Sequence, residues 1–166
     1  EELIEKVRQV YKGTIMHNIN HGDEFRFEWL DKVDVIGISA YYPVSVPGDN
    51  SKETMLKKWA EHRERVRKCH EHFNRPIMFA EIGVRNERGC TMYPWDFHYR
   101  PDMPYDEQEQ ADFYETAMET MWNEPYFCGF FWWDWKAILP PEEKAKENKD
   151  FTVYGKKAEL VLRDWY

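Results

Sequence analysis

At 166 residues the chain is about one domain of sequence, long enough to bury a core. Its 42% hydrophobic and 17% aromatic residues exceed what a disordered segment carries, and no apolar run approaches the roughly 18–20 residues that span a bilayer. Against 31 Asp and Glu stand 23 Lys and Arg, a net charge of −8, so the positive footprint that nucleic-acid phosphates require is missing.

The opening Glu1-Glu2-Leu3-Ile4-Glu5-Lys6 is charged, with neither an initiator Met nor the apolar core of a signal peptide, which points to a start inside a longer gene product or behind a cleavage site. Leu3, Ile4, Val7 and Val10 fall at helical spacing, and Gly13 ends that helix. Gly13 to Asn20 reads as a strand, with His21-Gly-Asp-Glu24 as the loop at its carboxyl end. A short helix over Phe25 to Lys32 leads into Val33-Asp-Val-Ile-Gly-Ile-Ser-Ala-Tyr-Tyr42, whose near-continuous apolar character suits a strand buried on both faces.

From Ser51 to Phe73 the positions Met55, Leu56, Trp59, Arg63, Val66, Cys69 and Phe73 form a helical stripe, stopped by Asn74-Arg75-Pro76. Ile77 to Gly83 is a third strand that closes on a carboxylate and a glycine. The loop of Val84 to Tyr105 is too aromatic for disorder, and loops of that length in a compact domain usually serve function. Asp106 followed by Glu109 is an N-cap signature for a helix that Pro125 terminates. Phe127 to Trp135 is a fourth strand, Pro140 to Asp150 a solvated excursion, and Gly155 introduces a last helix.

One helix and four β/α units predict a parallel sheet paired in chain order. Such a series is half of an eight-stranded barrel or a small doubly wound sheet. No G-x-G-x-x-G or G-x-x-x-x-G-K-[ST] follows any strand, so no nucleotide cradle, and no cofactor, is expected. Polar and aromatic residues gather instead at strand carboxyl ends, at His17, Asn18, Asn20, Tyr41, Tyr42, Glu81, Trp132, Trp133 and Trp135, the rim at which barrels do chemistry.

Glu81 stands out, because a carboxylate closing an apolar strand is costly to bury without a partner or a task. Beside tyrosine and tryptophan it has the chemistry to attack an anomeric carbon; the alternative is structural pairing with Arg75 or Arg85. Cys69, Cys90 and Cys128 are odd in number and widely spaced, so neither a disulfide framework nor a zinc ribbon is expected. No metal site is expected either: His70 and His72 diverge by about 200° on one helix, and His17, His21, Asp23 and Glu24 match no ligand spacing.

Several segments carry a resemblance. Val33-Asp-Val-Ile-Gly-Ile-Ser-Ala-Tyr-Tyr-Pro43, Arg75-Pro-Ile-Met-Phe-Ala-Glu-Ile-Gly-Val-Arg85, Pro94-Trp95, Gln110-Ala-Asp-Phe-Tyr114, Gly129-Phe-Phe-Trp-Trp-Asp-Trp135 and Gly155 to Trp165 resemble, in order, the carboxyl-terminal half of glycoside hydrolase family 113, retaining β-1,4-mannanases. The resemblance implies that residues 1–166 are one partial domain, strands 5 to 8 of a (β/α)8 TIM barrel. It implies Glu81 as nucleophile and Tyr41, with Tyr42 as second choice, as the tyrosine bonded to it. Trp133, then Trp135, would be the aromatic floor of the sugar site, and His17 and Asn20 would bind substrate hydroxyls.

In that family the acid/base is a glutamate at the end of the fourth strand, a segment this sequence does not include. Glu24 is the local substitute to weigh, although a carboxylate there is more readily a helix cap. We therefore expect a hydrolase half acting on oligosaccharide or polysaccharide, inactive alone, whose open edge strands are covered by an N-terminal half-barrel or a second copy. The rival is a non-catalytic carbohydrate-binding or structural half-barrel. The aromatic loop reads as cover for the rim at Trp95, with Tyr93 and Tyr99 left open between cover and sugar subsite.

Overall fold

The computed structural model describes residues 1–98 and 100–166; Tyr99 lies outside the described residues. The elements are α1 (Glu2–Val10), β1 (Met16–Asn20), β2 (Val35–Ser39), α2 (Lys52–Phe73), β3 (Ile77–Ile82), α3 (Glu107–Met121), β4 (Phe127–Trp132) and α4 (Lys157–Trp165). All four strands are parallel and paired in chain order, which is half of an eight-stranded barrel. Between β1 and β2 the connection carries only a 3-10 turn, Glu28–Lys32, in place of the helix read from Phe25. The excursion after Pro140 also differs from expectation: it forms a second 3-10 turn, Glu142–Glu147, and buries Ala145. No described helix is long and apolar enough to cross a membrane.

Local chemistry sets the long helices. The Ser51 hydroxyl accepts from the Thr54 N–H, and Asn74 closes α2 in the left-handed conformation at φ 51°. The Asp106 carboxylate accepts from the Glu109 N–H at the start of α3. Both helices lay apolar residues on one face of the sheet, where Trp59, Val66, Phe113 and Met118 meet Ile36, Ile38, Phe79 and Ile82, all fully buried. The other face is the interior side of the half-barrel, and no described helix covers it.

Two bulges break strict alternation. In β3 the pairs Gly37↔Met78 and Ser39↔Glu81 set three residues against two, and in β4 Ile77↔Phe127 is followed by Phe79↔Phe130. Gly129, inside the β4 bulge, has φ +131°, a conformation that side chains disfavour. Gly83 is required for another reason, since a Cβ there would stand 1.9 Å from the Trp133 carbonyl oxygen.

Candidate active site

Alternation sorts the rim residues of β1 and β2. On β2, Ile36, Ile38, Ala40 and Tyr42 point to the helices, whereas Val35, Gly37, Ser39 and Tyr41 occupy the open face. On β1 the same rule gives His17 and Ile19 to the helix side, leaving Asn18 and Asn20 exposed on the other. Asn18 donates to the Ser39 hydroxyl at 2.8 Å and so joins the two strands on that face.

Strict alternation on β3 would send Glu81 toward the helices with Phe79. The bulge instead brings both Ala80 and Glu81 to the open side and returns Ile82 to the core. There the Tyr41 phenol donates to Glu81 Oε1 at 2.5 Å. Burial, together with the hydrogen bond to Glu81, pushes the Tyr41 pKa far up, so the phenol stays a donor throughout the ordinary pH range. The Glu81 backbone is fixed too, its carbonyl accepting from the Ala40 N–H at 2.6 Å.

Neither arginine considered as a structural partner reaches Glu81. Arg75 donates to the carbonyls of Asp31, Val33 and Asn74. Arg85 lies beside Glu87 and donates to the Phe97 carbonyl.

On β4, Trp132 stacks on Tyr114 of α3 at 4.3 Å between centroids, whereas Phe131 and Trp133 are exposed on the alternate face. The Trp133 N–H donates to the Ile82 carbonyl at 2.7 Å, which holds it beside the end of β3, and the Trp133–Asp134 peptide is cis. Trp135, beyond the strand, is exposed and meets Tyr154 edge-on.

Three expected positions are placed elsewhere by the same geometry. Tyr42 is buried among Trp59, His62 and Phe79, with its hydroxyl on Glu24. His17 lies against Trp29 and Phe27 on the helix side, where burial lowers its pKa. Glu24 is fully buried and caps no helix; it accepts from Tyr42, from the Gly22 N–H at 3.0 Å and from Arg65 Nε at 2.6 Å. Burial alone would raise its pKa, and these three donors together hold it below the usual carboxylate value.

Asn18 and Ser39 are the polar residues that the site choice missed, although period-two alternation from Tyr41 points to Ser39. Among the described residues no group of three or more His, Cys, Asp or Glu is placed to hold a metal ion. His62 and His70 donate instead to the carbonyls of Pro43 and Arg75.

A cavity of about 540 Å³ lies away from Glu81, between the loops that follow β2 and β3. Beneath it the buried Glu109 carboxylate gathers Asn50 Nδ2, the N–H groups of Gly89 and Thr91, and the Thr91 hydroxyl. With those donors Glu109 is satisfied, and it acts as an anchor for the loop after β3. Glu81 stands on an open surface because four strands give it a floor and no opposite wall.

Known structures share this fold. A family 113 β-mannanase from Alicyclobacillus acidocaldarius, solved with ManMIm, superposes with TM-score 0.82 at 34% identity, over 99% of this chain and 48% of that one. A second family 113 β-1,4-mannanase gives 0.83 at 28% identity, with 99% and 49% covered. A Ruminococcus gnavus β-glucuronidase, at 14% identity and TM-score 0.65 over 99% and 28%, shares the fold alone. No curated protein sequence matches.

The chain spans about half the length of the mannanase structures it matches. The family model of Glycoside Hydrolase Family 113 matches residues 1–156, nearly the whole of a sequence that folds as half a barrel with its carboxylate and tryptophan at the strand ends. The chain belongs to glycoside hydrolase family 113.

Proposed function

We propose that this chain carries the nucleophile half of a retaining glycoside hydrolase acting on β-linked polysaccharide such as β-1,4-mannan. The carrying observation is the Tyr41 to Glu81 hydrogen bond on the sheet face that Trp133 shares. Tyr41 engages Oε1 and leaves Oε2 as the attacking atom. In the first step Oε2 bonds to the anomeric carbon while the glycosidic C–O bond breaks and an acid protonates the leaving oxygen. In the second, water attacks the glycosyl ester, losing its proton to that same group, and Glu81 is restored as a carboxylate.

The acid/base carboxyl comes from outside these residues. Glu24, the nearest substitute in the sequence reading, is fully buried and held by three donors. A second four-stranded half, an N-terminal half-barrel or another copy, would cover the free edges of β1 and β4 and roof the site. A non-catalytic sugar-binding role draws support from the exposed Trp133 and Trp135, which need no acid to grip a pyranose.

The test is turnover of manno-oligosaccharide and of an activated aryl β-mannoside by the 166-residue chain and by a version joined to a family 113 N-terminal half, each beside Glu81→Gln. The joined version should cleave both substrates in a Glu81-dependent way. The short chain should leave the oligosaccharide intact, because general acid help is worth roughly 10²–10⁴ in rate. A 2-fluoro-mannosyl fluoride should label Glu81 in the joined version. Inactivity of the joined version with retained sugar binding would transfer the conclusion to the binding role.

A further inference from the structure

The loop after β3 does not stay above its own strand. The Val44 N–H donates to the Thr91 carbonyl at 2.9 Å, and the Thr91 and Ser45 hydroxyls meet at 2.9 Å, so the loop is carried across the end of β2. Its tip reaches the end of β1, where the Trp95 indole stacks on the His21 imidazole with centroids 5.3 Å apart and planes 27° from parallel. Tyr93 stands edge-on to the same indole at 5.8 Å. A loop serving only as cover would turn these rings inward. Trp95 is nevertheless 44% exposed, Tyr93 50% and Phe97 72%. Clustered rings left in water mark a binding surface.

We propose that Trp95, steadied by His21, is a second sugar-stacking platform on this rim, across from Trp133, for a pyranose ring at a distance from the bond that Glu81 attacks. The proposal rests on the chain being half of a glycoside hydrolase. The strand order lays out the rim: His21 and Trp95 over β1, Tyr41 over β2, Glu81 over β3 and Trp133 over β4. Three strand spacings, ~14 Å along the sheet, separate the strand ends over which the two tryptophans lie. That is the span of a short oligosaccharide rather than of one ring, so the two platforms would hold different units of one chain.

Polar chemistry suits the same ligand. Trp95 shares a cavity of about 360 Å³ with Asp96 and Arg100. His98 takes Asp96 Oδ1, and the buried Glu87 takes Arg100 Nε and Nη2. Asp96 Oδ2 and Arg100 Nη1, 3.8 Å apart, are the atoms left to meet sugar hydroxyls. A flat ring for the C–H face, flanked by a few polar groups that fix orientation, is how such sites recognise a saccharide.

The experiment titrates manno-oligosaccharides of two to six units onto the 166-residue chain and onto Trp95→Ala, Trp95→Phe and Trp133→Ala, read by saturation-transfer NMR and tryptophan fluorescence. Trp95→Ala should bind the six-unit ligand about 3–10-fold more weakly, as expected for one lost aromatic contact. It should bind the two-unit ligand as the unaltered chain does, and Trp95→Phe should recover most of the loss. Trp133→Ala should weaken every length. Circular dichroism checks each fold, and Trp95→Gln, which removes the aromatic face while keeping more of the side-chain volume, should show the same six-unit loss and stands in if the alanine variant unfolds. Six-unit binding that needs Trp133 but not Trp95 overturns the platform and leaves the hydrolase reading standing. Equal losses for both lengths also overturn it, as does no binding by the unaltered chain, whereas the hydrolase reading is decided separately by turnover in the joined version.

Discussion

The two faces of the sheet differ in what they are made of and in what they tolerate. Toward α2 and α3 lie Ile36, Ile38, Phe79 and Ile82, closed over by Trp59 and Phe113 with no access to water. Toward the interior of the half-barrel lie Asn18, Ser39, Tyr41, Glu81, Phe131 and Trp133, polar or aromatic, with Asn18, Phe131 and Trp133 open to water and Ser39 and Tyr41 buried beneath them. Successive residues of one strand serve the two faces, so stability and chemistry are separable position by position. A substitution should disturb one and spare the other.

The sharpest contrast is between tryptophans. Trp59→Ala removes a fully buried ring and should cost ~3–5 kcal/mol by denaturant unfolding. Trp133→Ala removes a ring that is 48% exposed and should stay within about 1 kcal/mol while abolishing its share of sugar binding. Equal costs would end the separation of the faces.

Gly83→Ala probes the seam between them. Its Cβ would clash with the Trp133 carbonyl, which also accepts from the Tyr114 phenol at 3.4 Å. The expected cost is ~1–3 kcal/mol, with a changed near-ultraviolet tryptophan signal.

Glu24→Gln tests a buried carboxylate on the helix side and should cost about 2 kcal/mol at pH 7, since Arg65 loses its counter-charge and the two remaining donors face a neutral amide. The folded-state pKa of Glu24 is depressed, so its contribution is present above the ordinary carboxylate pKa and is lost as pH falls through the depressed value. The gap between the two proteins should therefore shrink in chemical denaturation series run from pH 7 down into the acid range.

Tyr41→Phe should be the mildest for the fold, about 1 kcal/mol, and should slow labelling of Glu81 by the fluoro-sugar in the joined version. Unchanged labelling would deny Tyr41 a part in orienting the carboxylate.

Elements with their own local chemistry were legible in the sequence. Ser51, Asn74 and Asp106 mark helix ends that the structure keeps, and four apolar runs became four strands in chain order. What was less legible is which way a rim residue points. Tyr41 and Tyr42 look alike in sequence, yet one residue of offset sends the first to Glu81 and the second into the core against Glu24. His17 was misplaced by the same offset. For Glu81 the rule fails in the other direction, because the bulge that turns it outward depends on pairing with β2 and β4, which β3 alone does not encode. Trp95 could be placed only once Thr91 and Ser45 showed the path of its loop.

The Glu109 anchor has a consequence for how this protein can change. By taking the N–H groups of Gly89 and Thr91 along with Asn50, it pins the root of the loop to α3 and to the segment before α2. The tip from Met92 to His98 then hangs from a fixed hinge-pin, as a tool head hangs from a handle. The exposed side chains there, Tyr93, Trp95, Phe97 and His98, can be exchanged at less cost to the strands that carry Glu81 than the buried Pro94 among them. On the reading proposed above, these four are then the positions at which selection, or a protein engineer, would rewrite a preference for one saccharide over another.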